Sequence, residues 1–560
     1  MATPRPGSRR RLGRPLAITC LVAAAVVLVG APLAVLLRTA LEEGPATLLE
    51  SSVAAGPAVL ATVWTSLAAA ALAVGLGAAI AVITERTDVA GRGGLRLAML
   101  LALIMPGYVA ALGWLSAYGP GGLVDDLFGL EVSALVGPLG IVLVMAAEAA
   151  PIAFLIVVAG LRSRAEPDLE RAARASGASA RETLTTVTLP LLRPVLVGAG
   201  AIAFVLSATS FGVPAVLGIP AGFTTMTTRI YRDLAFSADP ASFGEAVGLA
   251  VVLAVGAALI IALGDWLLGR GASDRSGAFG GPTGSMGPGP GPITPGAGHG
   301  RGHSALLTGA AWTVVVIIVV LPLTGLLATA LARAPGLDPV PANWTLDNFQ
   351  AAADGRTLQA LAHSLVLAGA AAVGVISLAV LAVTVRRGRG AGAVGGLLGL
   401  TFALPGSTLA VAVLLTYGAS LRDTLLIILI AYLAKFWALG YRPVAAGLDG
   451  IPPDAYRAAR VSGAGAWTTI RTVVLPLVRP MIVAGGLIVF MFGLHEVTMS
   501  SLLYGPGSAT LAVVVLNLQQ LGDHGATAAL ALVLTVLVAL AGLPLLRRGS
   551  GAGGAGWRLW

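Results

Sequence analysis

The sequence predicts an all-α polytopic membrane protein with about twelve transmembrane helices in two homologous six-helix halves. Three observations carry that expectation. The chain is 57% hydrophobic and only 11% charged over 560 residues, too little charge to coat a soluble domain of that size. Apolar runs of about 20 residues, long enough to cross a ~30 Å bilayer core, recur from end to end. A polar block also occurs twice. Pro167-Asp168, Arg171-Ala172-Ala173, Gly177, Leu189-Pro190 and Arg193-Pro194 return as Pro453-Asp454, Arg457-Ala458-Ala459, Gly463, Leu475-Pro476 and Arg479-Pro480, every pair at the one constant offset that separates Pro167 from Pro453.

In chain order, the apolar runs place the first six helices near residues 16–38, 59–84, 97–118, 138–161, 195–218 and 244–268. The second six fall near 306–331, 358–385, 394–418, 424–446, 481–503 and 526–546. The first run reaches Arg38 with no convincing cleavage site, so it reads as a retained helix rather than a secretion signal. Residues 1–268 form the first half. Residues 269–304, with Gly287-Pro288-Gly289-Pro290-Gly291-Pro292, read as a disordered cytoplasmic linker that cannot bury a core. Residues 305–560 form the second half. His299 and His303 read as solvated linker histidines, not a metal pair. Cys20 is the only cysteine, so an internal disulfide and a cysteine-rich metal site are excluded.

Net charge is +9, nearly all of the base is arginine, and it sits beside the spans. Arg9, Arg10 and Arg11 precede the first helix. Arg162, Arg164, Arg171, Arg174, Arg181 and Arg193 crowd one loop. Arg386, Arg387 and Arg389 fill another, and Arg547-Arg548 follow the last helix. The alternate loops carry Glu42, Glu43, Glu50, Asp125, Asp126 and Glu131. The positive-inside rule puts both termini and both repeated blocks in the cytoplasm. The basicity therefore reads as topology, not as nucleic-acid binding.

The repeated block has the make-up of a short helix held between two spans. Pro167 and Pro453 suit a first helical turn, and Asp168 and Asp454 complement its positive end. The alanine pairs keep one face small for a partner. Gly177 and Gly463 suit helix stops, and Ser179 with Glu182 resembles a capping box. Ser66-Leu67 returns at Ser364-Leu365 and Pro106-Gly107 at Pro405-Gly406. Parallel duplication implies a pseudo-two-fold axis along the membrane normal, with a pathway between the halves.

The spacing of Ala172-Ala173, Gly177, Val187 and Leu189-Pro190, and of its second copy, resembles the EAA loop of permease subunits of binding-protein-dependent ABC importers. In that family each loop docks on a separate ATPase subunit. The resemblance implies a permease with two ATPase copies, an extracytoplasmic substrate-binding protein and the bacterial plasma (inner) membrane as its setting. It marks Glu170, Arg171, Ala172, Ala173, Gly177, Leu189, Pro190, Arg457, Ala458, Ala459, Gly463, Leu475 and Pro476 as the ATPase-coupling residues. The family glutamate is replaced by Arg171 and Arg457, with Glu170 adjacent to the first. Residues 210–218 and 496–503, and Trp344-Thr345-Leu346-Asp347-Asn348-Phe349, resemble fused permeases for ferric iron, with thiamine and polyamine relatives.

The chain has no nucleotide loop of its own. Lys435, the only lysine, lies in a span without the glycine-rich turn a phosphate site needs. No cofactor and no catalytic set are expected. Glu148 and Lys435 fall at nearly equivalent depths in the two halves, where an unpaired charge costs ~3 kcal/mol or more; pairing across the axis would offset that cost, separate snorkelling into a cavity is the alternative, and both are candidate intramembrane polar or pathway groups. Ser210, His495 and Glu496 are candidate pathway groups. The leading function is an ATP-driven importer of ferric iron. The alternatives are thiamine, polyamine or phosphonate import by the same class, or an ion-coupled secondary transporter.

Overall fold

In a computed structural model, the structure describes residues 9–42, 55–163, 167–237, 239–269, 301–334, 336–385 and 403–550, with isolated positions at 53, 395, 396, 398, 399 and 401. The regular structure of the described residues is helical, with one isolated bridge between Ala332 and Trp344. This is an all-α polytopic fold. Helices run without interruption to Gly269 and from Arg301, so His303 lies on a helix. The rest of the expected linker, residues 270–300 with His299, falls outside the described residues, as do Arg164, Arg386, Arg387 and Arg389.

Among the described residues, ten helices are long and apolar enough to cross a membrane, and a bent pair adds an eleventh. The span expected at 97–118 is two helices, Arg92–Ile104 and Gly107–Tyr118, the second continuing toward Phe128, with a 109° bend. Pro106 causes it, because the residue before a proline is pushed out of the α region. Met105 and Pro106 are accordingly extended (ψ 126° and 139°). Pro405 acts likewise before Gly406–Leu421 (ψ 145°). The spans expected at 195–218 and 481–503 also stop early, at Ala208 and Leu494. Short helices Gly212–Leu217 and Thr498–Leu503 follow each break.

Among the described residues, π-turns interrupt the long helices at Val26–Gly30, Leu184–Thr188, Val316–Val320 and Ile470–Val474. A proline follows each one closely: Pro32, Pro190, Pro322 and Pro476. A proline ring clashes with the carbonyl four residues back and offers no N–H. Widening the preceding turn relieves the clash but leaves one carbonyl unserved. In two cases the other half of the chain serves it. Tyr118 Oη donates to Ile317 O at 2.7 Å, and Tyr417 Oη donates to Val27 O at 2.6 Å. The first helix of each half thus lies against the broken third span of the opposite half.

Within each half the core is a close helix pair: Gly56–Arg86 with Pro138–Ser163, and Gly355–Val385 with Leu425–Asp449. Ala69, Ala73, Ala81, Ala150 and Ala153 are fully buried in the first pair, as are Ala368, Ala371, Ala379 and Ala431 in the second. Small side chains let backbones approach where lipid gives no hydrophobic drive between helices.

Candidate functional site

The two repeated blocks fold alike. Pro167–Ala175 and Pro453–Val461 are short helices that begin at equivalent positions of the repeat. Both end in the same hydrogen-bonded turn. Gly177 N–H donates to Arg174 O and Ala178 N–H to Ala173 O. Gly463 N–H donates to Arg460 O and Ala464 N–H to Ala459 O. This Schellman closure needs a left-handed residue. Gly177 (φ +91°) and Gly463 (φ +71°) supply it, with open space around both.

The outer faces match. Arg171 bonds Asp168 at 3.0 Å and Arg457 bonds Asp454 at 2.9 Å, all four exposed. Ala172 and Ala458 are exposed beside them. The second alanine of each pair differs from the expectation of a small face open to a partner. Ala459 is buried and Ala173 half-buried, because residues three apart from the inward position 170 or 456 share its face. Leu189 and Pro190 are half-buried, whereas Leu475 and Pro476 are exposed. Both pairs begin the next span directly after a π-turn.

Glu170 points inward. Its side chain is 3% exposed and lies 3.2 Å from Arg86 Nε, at the end of the helix Gly56–Arg86. Thr188 Oγ1 donates to it at 2.9 Å, and Arg86 Nη2 also donates to Leu161 O at 3.2 Å. Next to Arg86, Glu85 accepts from Arg96 at 2.6 Å and from Arg162 at 3.0 Å. The sequence reading missed Arg86, Glu85 and Thr188. Their signal was the charged pair Glu85-Arg86 ending an apolar run, which alone does not reveal a partner as distant in the chain as Glu170.

The intramembrane groups are separated rather than joined. Among the described residues no ion pair links Glu148 and Lys435, so of the two arrangements the sequence left open the separate one is observed. Each instead meets the break in its own half's third span. An added Cβ at Gly107 would stand 2.5 Å from Glu148 Oε2, so the carboxylate occupies the space that glycine leaves at the start of Gly107–Tyr118. Lys435 Nζ donates to Leu404 O, just before Pro405. The arrangement follows helix polarity: an acid at an N-terminus, a base at a chain segment's C-terminal carbonyl. Equivalent depth was legible in the sequence, but the breaks were not, and the breaks supply the partners.

Glu496 caps the next short helix. It accepts from Met499 N–H at 2.9 Å and Ser500 N–H at 3.1 Å. Its carbonyl accepts from Ser500 Oγ. Tyr432 Oη lies 3.4 Å from Ser500 Oγ. His495 sits in the break, its ring 5.4 Å from Phe492. Ser210, the counterpart of Glu496, lies in the matching break, its carbonyl accepting from Thr227 Oγ1 at 2.8 Å. At the end of the molecule opposite the loop helices, a cavity of about 1030 Å³ opens between the halves, lined among others by Tyr231, Arg232, Arg333, Trp344, Asn348 and Gln520.

Two matching loop helices, broken spans and short inserted helices define a polytopic permease architecture. The chain belongs to the family of binding-protein-dependent transport system inner membrane components, whose profile matches residues 2–270 and 373–547. It is 25% identical over 479 residues to the ferric transport system permease protein FbpB of Actinobacillus pleuropneumoniae, an alignment covering 81% of this chain and 65% of that protein. Against PhnV of Salmonella typhi, named for 2-aminoethylphosphonate transport, it is 27% identical over 40% of this chain and 88% of the relative. Against the thiamine transport system permease protein ThiP of Brucella abortus it is 30% identical over 32% of this chain and 34% of the relative. The chain thus spans just under two-thirds of the length of the FbpB protein it matches.

Proposed function

We propose that this chain forms the translocation pathway of an ATP-driven importer in the bacterial inner membrane, with both termini in the cytoplasm. Two copies of a separate ATPase engage the two loop helices, and an extracytoplasmic binding protein delivers substrate over the opposite cavity. The observation that carries this reading is the identity of the two outer faces: the same Asp–Arg pair, exposed alanine and left-handed glycine stop, at matching positions of the two halves. One docking cleft can accept both. Closure of the ATPases on ATP moves the loop helices, and these move the spans that follow them, so the pathway opens alternately to each side. The chain itself binds no nucleotide in this scheme and contributes no catalytic group.

Ferric iron is the proposed substrate. The support is coverage: ferric permease relatives align across 81% and 72% of this chain, and so across both halves, whereas the phosphonate and thiamine relatives align over 40% and 32%. The test is reconstitution of the permease with its neighbouring ATPase and binding protein in proteoliposomes. Uptake of radiolabelled ferric iron that needs internal ATP and survives collapse of ion gradients is expected. Uptake that follows an ion gradient without ATP would mean a secondary transporter, and uptake of thiamine, a polyamine or a phosphonate in place of iron would reassign the substrate.

A further inference from the structure

The two loop helices share one outer face but have different roots. In the first half the root is ionic. Glu170, on the inward side of the helix, reaches Arg86 at 3.2 Å and takes a hydrogen bond from Thr188 at 2.9 Å. Arg86 also holds Leu161 O at 3.2 Å. One residue earlier, Glu85 joins Arg96 at 2.6 Å and Arg162 at 3.0 Å. The end of the helix Gly56–Arg86 is thereby tied to the loop helix, to the span before it and to the start of the broken span.

At the equivalent positions of the second half this chemistry is missing by residue type. Glu170, Thr188 and Arg162 correspond, at the offset of Pro167 and Pro453, to Tyr456, Val474 and Leu448. Glu85 and Arg86 correspond, at the offset of Ser66 and Ser364, to Val383 and Thr384. Arg96 corresponds, at the offset of Pro106 and Pro405, to Gly395. None of these counterparts can form an ion pair. Matching outer faces, Asp168–Arg171 and Asp454–Arg457, alongside roots so different in chemistry separate two tasks: binding the ATPase and passing its movement on.

We propose that Glu170 and Arg86 are positioning residues that fix the first loop helix to its span, so that the first loop transmits ATPase movement rigidly through an ion pair that the equivalent positions of the second loop, Tyr456 and Thr384, do not carry. This rests on the importer reading above. A buried pair that loses one partner leaves an uncompensated charge. A loop helix freed at its root still presents its outer face and still binds, but it slides without moving the span.

The experiment uses the whole permease–ATPase complex in proteoliposomes with the binding protein and ferric iron as probe. Three quantities are read: ATPase retained on the permease, ATP hydrolysed, and iron taken up per ATP. Glu170→Gln and Arg86→Gln are expected to retain the ATPase while uptake per ATP falls about five-fold or more, the size of an ordinary coupling free energy. The charge-swapped double variant Arg86→Glu/Glu170→Arg is expected to recover part of that loss, and Tyr456→Phe is expected to change nothing. Unchanged uptake per ATP in both single variants, or equal losses from Tyr456→Phe, would overturn the proposal while leaving the importer reading intact. Should a single variant fail to assemble, the swapped variant decides: assembly with ATP-driven uptake supports the pair, and assembly with no uptake refutes it. Failure of the unaltered permease to hold the ATPase would overturn the importer reading itself.

Discussion

The Tyr118 hydroxyl donates to the carbonyl of Ile317, in the first helix of the other half, at 2.7 Å. That carbonyl is short of a partner because Leu321 N–H serves Val316 O across the π-turn and Pro322 has no N–H to give. Tyr417 repeats the contact on Val27, where Ala31 N–H serves Val26 O and Pro32 follows. A proline in the first helix of each half thus creates an acceptor that the other half satisfies. The two halves are joined by reciprocal hydrogen bonds as well as by packing.

Tyr118→Phe and Tyr417→Phe are therefore expected to lower the melting temperature of the detergent-purified chain, each by an amount corresponding to about 1 kcal/mol, typical of hydrogen bonds between membrane helices. The two sites share no partner, so the double variant should lose the sum. No change in either single variant would mean that the carbonyls find another donor.

Glu148 and Lys435 should behave independently. Lys435→Met leaves Leu404 O without its donor, which costs about 1–3 kcal/mol for a buried acceptor. Glu148→Gln keeps the side chain's bulk over Gly107 and removes only the charge. A double-mutant cycle on melting temperature should give additive losses. A double variant more stable than Lys435→Met alone would restore direct pairing across the axis.

Cysteine substitution at the loops should follow exposure. In a Cys20→Ser background, cysteines at Ala172 and Ala458 are expected to crosslink to the ATPase, and one at Ala459, which is buried, is not. Strong crosslinking at Ala459 alone would reverse the assignment of the outer face.

Gly177→Ala and Gly463→Ala each place a side chain in a left-handed conformation, at about 1–2 kcal/mol, with no steric contact to add to it. Uptake per ATP should fall in both while membrane insertion is retained. Full activity in both would show that the Schellman turns can be replaced without consequence.

The first loop should also respond to pH where the second does not. Glu182 caps Ser179, accepting its N–H at 2.7 Å, and those bonds hold its carboxyl below the ordinary glutamate range. A lowered pKa means the cap is fully present above the unfolded value of about 4.3 and is lost as pH falls through the folded one. Amide exchange at residues 180–183 should therefore rise in acid. Residues 466–469 follow Gly465 and hold Thr468 in place of that pair, so their exchange should show no such step. A parallel rise in both segments would assign the effect to general loosening.

Composition and periodicity determined by themselves that this chain is an all-α membrane protein, since long apolar runs leave the backbone no other way to satisfy its hydrogen bonds in lipid. The repeated block was equally legible, because its cues act within a single turn of chain: Gly177 and Gly463 stop their helices where left-handed closure demands it, and Ser179 and Glu182 find each other across one helical turn. Tertiary structure alone decided what depends on distant partners. Pro106 and Pro405 lie inside runs that read as continuous spans, and that Glu148 and Lys435 take the seats beside their breaks is settled by packing against other spans. Glu170 and Arg171 are neighbours of opposite charge, and nothing local says which turns in. Arg86, brought alongside by the fold from the far end of an earlier span, decides it, since burying a carboxylate is costly unless an opposite charge or hydrogen bonds offset it.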